Sequence, residues 1–284
     1  MISSRKRFWL IPIFFATTFI VSFVAIVQAQ IITNREINGK QVSSRISIMQ
    51  VPQSSTIVQT KLVEPTSQTL GWSVDIDEDT LVLGAYLEGQ NGIQSGAVYI
   101  YSFDSTTNAW LFSKRIEGST IDGRNWFGYS VAIEGNTIVV GAPLDESIVN
   151  PSNTVGAIFV FEKSGDDWLE TDRVEITSSV DSQLGMSVDV SGDLLVAGDP
   201  SDDEINANTG AAYLYQRNPD NTWSQVTKFL DPTLSANAEF GGSVAIHDHT
   251  VVVGMPDGVS GFGKVYLYAP SETQPDEWEM IKEI

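Results

Sequence analysis

The stretch Phe127–Pro143, FGYSVAIEGNTIVVGAP, reads as two short strands around a tight turn, with Phe-Gly before the first and Gly-Ala-Pro after the second. Ser130–Ile133 and Thr137–Val140 are rich in β-branched and apolar residues, and Gly135-Asn136 between them favours a two-residue hairpin. The second strand is apolar at consecutive positions, as a strand buried on both faces must be. Pro143 stops it, because proline cannot donate to a ladder. Gly128 and Gly141 suit points of close backbone approach.

The same sentence recurs through the chain. LGWSV begins at Leu70, FGYSV at Phe127, LGMSV at Leu184 and FGGSV at Phe240, spaced by 57, 57 and 56 residues. Each is followed by GAY, GAP, GDP or GMP, starting at Gly84, Gly141, Gly198 and Gly254. Then come GAVYIY (Gly96), GAIFVF (Gly156), GAAYLY (Gly210) and GKVYLY (Gly263), and a tryptophan: Trp110, Trp168, Trp223 or Trp278. Each unit therefore reads as four strands, the last running from the tryptophan toward a basic residue, Arg115, Arg173, Lys228 or Lys282. After residue 30 no stretch shows a helical period. Four-stranded units of constant length define an all-β chain, a β-propeller built from four-stranded antiparallel blades. Four repeats of about 57 residues suit either a closed four-blade ring or part of a larger propeller. Val58–Val63 resembles a fourth strand without a blade of its own and is a candidate for closing a ring.

FGYSVAIEGNTIVVGAP also resembles the FG-GAP repeat of integrin alpha-subunit propellers and of many secreted or surface proteins. The resemblance covers residues 70–284. It implies the propeller fold and an adhesive or binding role, without naming a ligand.

The flanks point to export. MISSRKR carries Arg5, Lys6 and Arg7, an apolar run spans Phe8–Val27, and Val27 and Ala29 stand where a signal peptidase reads small residues. Residues 1–29 are a cleaved signal peptide, or a signal anchor, since residues 8–27 are long enough to span a bilayer. Either way residues 30–284 lie outside the cytoplasm. Residues 30–55 are polar and aperiodic and read as a linker, leaving 56–284 for the propeller. The chain has no cysteine and a net charge of −20, which becomes −23 once residues 1–29 are removed. Disulfides and thiolate metal sites are excluded, and nucleic acid is an unfavourable partner for such a charge.

Six acids mark the loops after strand two: Glu88, Asp145, Asp202, Asp203, Glu204 and Asp257. Strand parity places these loops on one rim with the connections between units. Long variable loops over a constant scaffold are where binding usually resides, with Trp126 in a connection as a stacking candidate. The alternative is that the acids simply keep the loops soluble. The expected partner is an extracellular protein or glycan, with membrane contact only through residues 8–27. The resemblance also implies a calcium loop between strands one and two. The nearest match, Asp75, Asp77 and Asp79, offers alternate carboxylates but lacks the following glycine and the distal acid. A two-residue turn is too short to wrap six to eight oxygens around an ion, so a polar turn without cofactor is the better reading. His247 and His249 fall in the equivalent turn of the fourth unit and read as exposed turn residues rather than ligands. No Ser-His-Asp order or phosphate loop suggests an enzyme. A carboxylate-dependent glycoside hydrolase and a structural spacer are the competing readings.

Overall fold

The computed structural model describes residues 31–37, 40–46, 62, 69–89, 94–120, 123–148, 153–176, 182–256, 262–274 and 277–284. The chain divides into two compact units, Met1–Gln59 and Thr60–Ile284. In the first, β1 (Ile31–Ile37) pairs antiparallel with β2 (Lys40–Ile46), Ile37 opposite Lys40. The stretch read as a linker thus contains a hairpin. Asn38-Gly39 stands between its strands, a pair strongly favoured in two-residue loops.

The second unit holds four four-stranded antiparallel sheets. The first comprises β3 (Val74–Asp77), β4 (Thr80–Ala85), β5 (Ala97–Asp104) and β6 (Ala109–Ile116); the second β7 (Ser130–Glu134), β8 (Thr137–Ala142), β9 (Ala157–Ser164) and β10 (Asp167–Val174). The third comprises β11 (Ser187–Ser191), β12 (Leu194–Asp199), β13 (Ala211–Arg217) and β14 (Trp223–Phe229); the fourth β15 (Ser243–His247), β16 (Thr250–Met255), β17 (Lys264–Pro270) and β18 (Trp278–Glu283). In each sheet the strands neighbour one another in chain order. The first turn residue after strand one has a positive φ in all four: Glu78 (45°), Gly135 (57°), Gly192 (59°) and Asp248 (51°). Glycine adopts this conformation without strain.

The repeated markers are explained at the seams between sheets. Phe127, Leu184 and Phe240 are fully buried, and each bridges the glycine that opens strand three of the preceding sheet. Ser73, Ser130 and Ser187 donate to the carbonyls of Gly128, Gly185 and Gly241 in the following sheet, at 2.9, 2.7 and 2.9 Å. A Cβ on Gly141 would overlap the Gly185 carbonyl, so only glycine permits this approach. Strand two is apolar at consecutive positions because alternate residues feed different cores: Val139 packs toward the third sheet, Val140 toward the first.

The outer faces of the end sheets differ. Val131 and Ile133 are buried, but Val74 and Ile76 at the same positions of β3 are 59% and 56% exposed. Within Val58–Val63 only Leu62 is described; it packs on the first sheet near Tyr99, Tyr101 and Trp110.

Candidate functional site

The acids after strand two are where the sequence puts them, but three of them are buried. Glu88, Asp145 and Asp202 are 3%, 1% and 3% exposed. Each meets the basic residue of strand four in its own sheet. Arg115 Nε lies 2.7 Å from Glu88, Arg173 Nη2 2.5 Å from Asp145, and Lys228 Nζ 2.8 Å from Asp202. The tyrosines of strand three complete two of the clusters: Tyr99 Oη donates to Glu88 at 2.5 Å and Tyr213 Oη to Asp202 at 2.8 Å. Register makes this possible, since Tyr99 stands opposite Arg115 and Tyr213 opposite Lys228.

Burial, then the Glu88 carboxylate, pushes the Tyr99 hydroxyl up to about 12. Burial also pushes the Asp145 carboxyl above the ordinary aspartate range, while Arg173 and Asn125 pull it back toward ionisation. These ion pairs fasten the loop after strand two to the outermost strand. Asp203 is exposed and accepts from the Asn208 backbone at 2.6 Å, within its own loop. Asp257 lies outside the described residues.

The fourth sheet breaks the pattern. Glu283 replaces the basic residue opposite Tyr266, and Lys282 stands opposite Leu267, on the other face. Glu283 is paired instead with Lys264 at 2.6 Å.

On the opposite rim, the calcium candidates are engaged across the first seam. Asp75 accepts from Ile133 N at 2.7 Å, and Asp77 from Gly135 N at 2.7 Å. Asp189 repeats the first contact with Ile246 N, also at 2.7 Å, and Glu134 the second with Gly192 N. These carboxylates lace strand one of one sheet to strand one, or the turn after it, of the next. Asp79 contributes its backbone carbonyl to Phe103 N at 2.8 Å. Among the described residues no group of three or more His, Cys, Asp or Glu could hold a metal ion. His247 and His249 are both exposed, the first ending β15 and the second in the turn.

Trp126 is the candidate with the richest surroundings. It stacks on Tyr129, centroids 5.6 Å apart and planes 11° from parallel, and meets Tyr86 edge-on at 5.3 Å. Tyr86 and Tyr129 in turn contact Trp72 at 4.8 and 5.5 Å. Four aromatic side chains from three segments form one patch between the first two sheets, on the rim of the long loops. Trp72 is 53% exposed and the other three are half-buried. Trp126 has φ 60°, unusual for a bulky residue, and Thr69 (63°) and Glu239 (55°) share this geometry at the same repeat position. The connection's backbone therefore sets where the indole lies. The sequence signal for the patch was present but scattered: Trp72 and Tyr129 fill the variable position of the LGxSV and FGxSV markers, and Tyr86 stands where the other units have proline.

A family model described as the FG-GAP repeat matches residues 66–101, 110–161, 178–215 and 223–268. That is more than half of the chain, and the chain belongs to the FG-GAP repeat family. Integrin alpha-6 of Gallus gallus is 26% identical over 197 residues, an overlap of 64% of this chain and 18% of that protein. The chain thus spans less than a fifth of the length of this curated relative.

Proposed function

We infer that this chain is an extracellular binding module, in which the four sheets are blades of a β-propeller and the long-loop rim meets a protein or glycan partner. The observation that carries the reading is the Trp72–Tyr86–Trp126–Tyr129 patch. Aromatic side chains with an apolar body and a polar edge dominate binding surfaces, because they bury large areas at little entropic cost. Here they stand on a scaffold tied by buried ion pairs, so the surface is ordered before binding. Family membership supports an interaction role. Export through residues 1–29, cleaved or retained as an anchor, supplies the compartment; that segment lies outside the described residues. Among the described residues no helix is long and apolar enough to cross a membrane.

The buried acids change which residues should be tested. Glu88, Asp145 and Asp202 support the rim from below, while the aromatic patch and Asp203 face outward. Beads coated with the exported chain, presented to cell surfaces and to immobilised glycans, test the reading. Trp72→Ala with Trp126→Ala should abolish retention without unfolding the protein. Retention unchanged in that double variant would refute the aromatic rim as the binding surface.

A further inference from the structure

One cross-strand pair recurs at the far end of strands three and four. Phe103 is opposite Trp110, Lys163 opposite Trp168, Arg217 opposite Trp223 and Pro270 opposite Trp278. In the second and third sheets the partner is a cation over the indole. Lys163 Nζ lies 5.8 Å from the Trp168 ring centre, and the Arg217 guanidinium carbon 5.0 Å from that of Trp223. The Arg217 guanidinium is seated in the seam between those two sheets. Its Nη1 is 2.8 Å from Glu162, its Nε 3.4 Å from Asp193, and its Nη2 donates to Thr137.

One seam further on, Trp278 takes the place of Trp223 and Pro270 that of Arg217. Gln216, Leu194 and His249 stand for Glu162, Thr137 and Asp193. Where the neighbouring seam holds a guanidinium, this one has a cavity of about 530 Å³, lined by all five of these residues. Among the described residues no lysine or arginine lines it, and Asp193, Asp248 and Glu134 contribute to its wall. Trp278 is half-buried, with Phe229 edge-on to its ring at 6.2 Å. The aromatic platform, an amide acceptor at Gln216 and the exposed carboxylate of Asp248 are therefore assembled there, while Asp193 on the same wall is shared with Arg217 of the neighbouring seam.

We propose that this cavity binds a guanidinium, the side chain of an arginine presented by a partner peptide, stacked on Trp278 as Arg217 stacks on Trp223. Arginine suits the site better than lysine, because its planar head both stacks on an indole and donates sideways to amide and carboxylate acceptors. The strongly negative chain draws such a ligand in. The cavity opens on the rim of the short turns, so it does not depend on the aromatic rim.

The test uses the full chain with N-acetyl-arginine amide as probe and the citrulline amide as its neutral isostere, followed through indole resonances. The arginine probe should shift the Trp278 resonance and saturate, with the citrulline probe at least tenfold weaker. Asp248→Asn should weaken arginine binding several-fold. Pro270→Arg places the chain's own guanidinium in the cavity; it should abolish binding of the probe and raise the unfolding midpoint. Equal binding of the two probes, or probe binding undiminished in Pro270→Arg, would overturn the assignment.

Discussion

Arg173 and Asp145 lie 28 residues apart in sequence and 2.5 Å apart in space, their side chains 6% and 2% exposed. Arg173 also reaches Glu175 at 2.8 Å and the Glu146 carbonyl at 2.9 Å. The pair is thus a clasp between strand four and the loop that leaves strand two. Removing Asp145 leaves the Arg173 guanidinium in a dry site with Glu175 as its remaining carboxylate. Asp145→Asn should therefore cost about 3 kcal/mol of stability, and Asp145→Ala about the same or more. Chemical denaturation checks this. A loss below about 0.5 kcal/mol, as expected of an exposed loop acid, would show that the pair is not holding the loop.

Asp199 predicts a pH dependence. It replaces the alanine of Gly-Ala-Pro, is fully buried and has no cationic partner among the described residues; Ser182 Oγ donates to it, as do the backbones of Gln183 and Ser201 at 2.9 and 3.2 Å. Burial pushes its carboxyl up to about 6 from 3.8, Asp202 adding to the rise and the donors opposing it. The folded chain then holds this proton more tightly than the unfolded chain. The associated stability is full below pH 3.8 and is lost as pH rises through about 6. The difference amounts to about 3 kcal/mol. Asp199→Asn keeps an acceptor for the two N–H groups and removes the charge. Its melting midpoint should exceed that of the parent by roughly 5 °C at pH 7.5 and match it near pH 4. An equal change at both pH values would show that charge is not the cause.

Calcium removal should leave the fold unchanged. Asp75 and Asp77 already accept backbone N–H groups from the next sheet, at 2.7 Å in both cases. Thermal unfolding with and without a chelator should agree within about 2 °C; a shift on the order of 10 °C would reveal a strong ion site.

The sequence reveals the sheets more fully than the site, and the residues show why. Phe127, Gly141 and Trp168 recur because every seam imposes the same packing, so the spacing of 57 is visible without a structure. The Arg173–Asp145 clasp also left a repeated trace. Basic residues at 115, 173 and 228 accompany acids at 88, 145 and 202, and both are absent at the matching places of the fourth unit, where Gly258 and Glu283 stand. Each half alone resembles ordinary solvated charge; only the register opposite Tyr99 or Tyr213 shows that they meet indoors. The aromatic patch left only a scattered trace, Trp72 and Tyr129 at one repeat position and Tyr86 and Trp126 at two others. Trp72, Tyr86, Trp126 and Tyr129 occupy positions that vary between units, and their convergence depends on how the first two sheets are set together.

The central claim, that the long-loop rim is the surface that meets the partner, is tested most directly by site-specific photocrosslinking on living cells. A photoreactive side chain is placed at Trp72 or Trp126 on the aromatic rim, and at Asp79 or Asp166 on the rim of short turns. The prediction is a discrete covalent adduct from positions 72 and 126, competed away by unlabelled protein, and none from 79 or 166. Adducts from 79 or 166 alone, with both aromatic positions silent in folded protein, would contradict it.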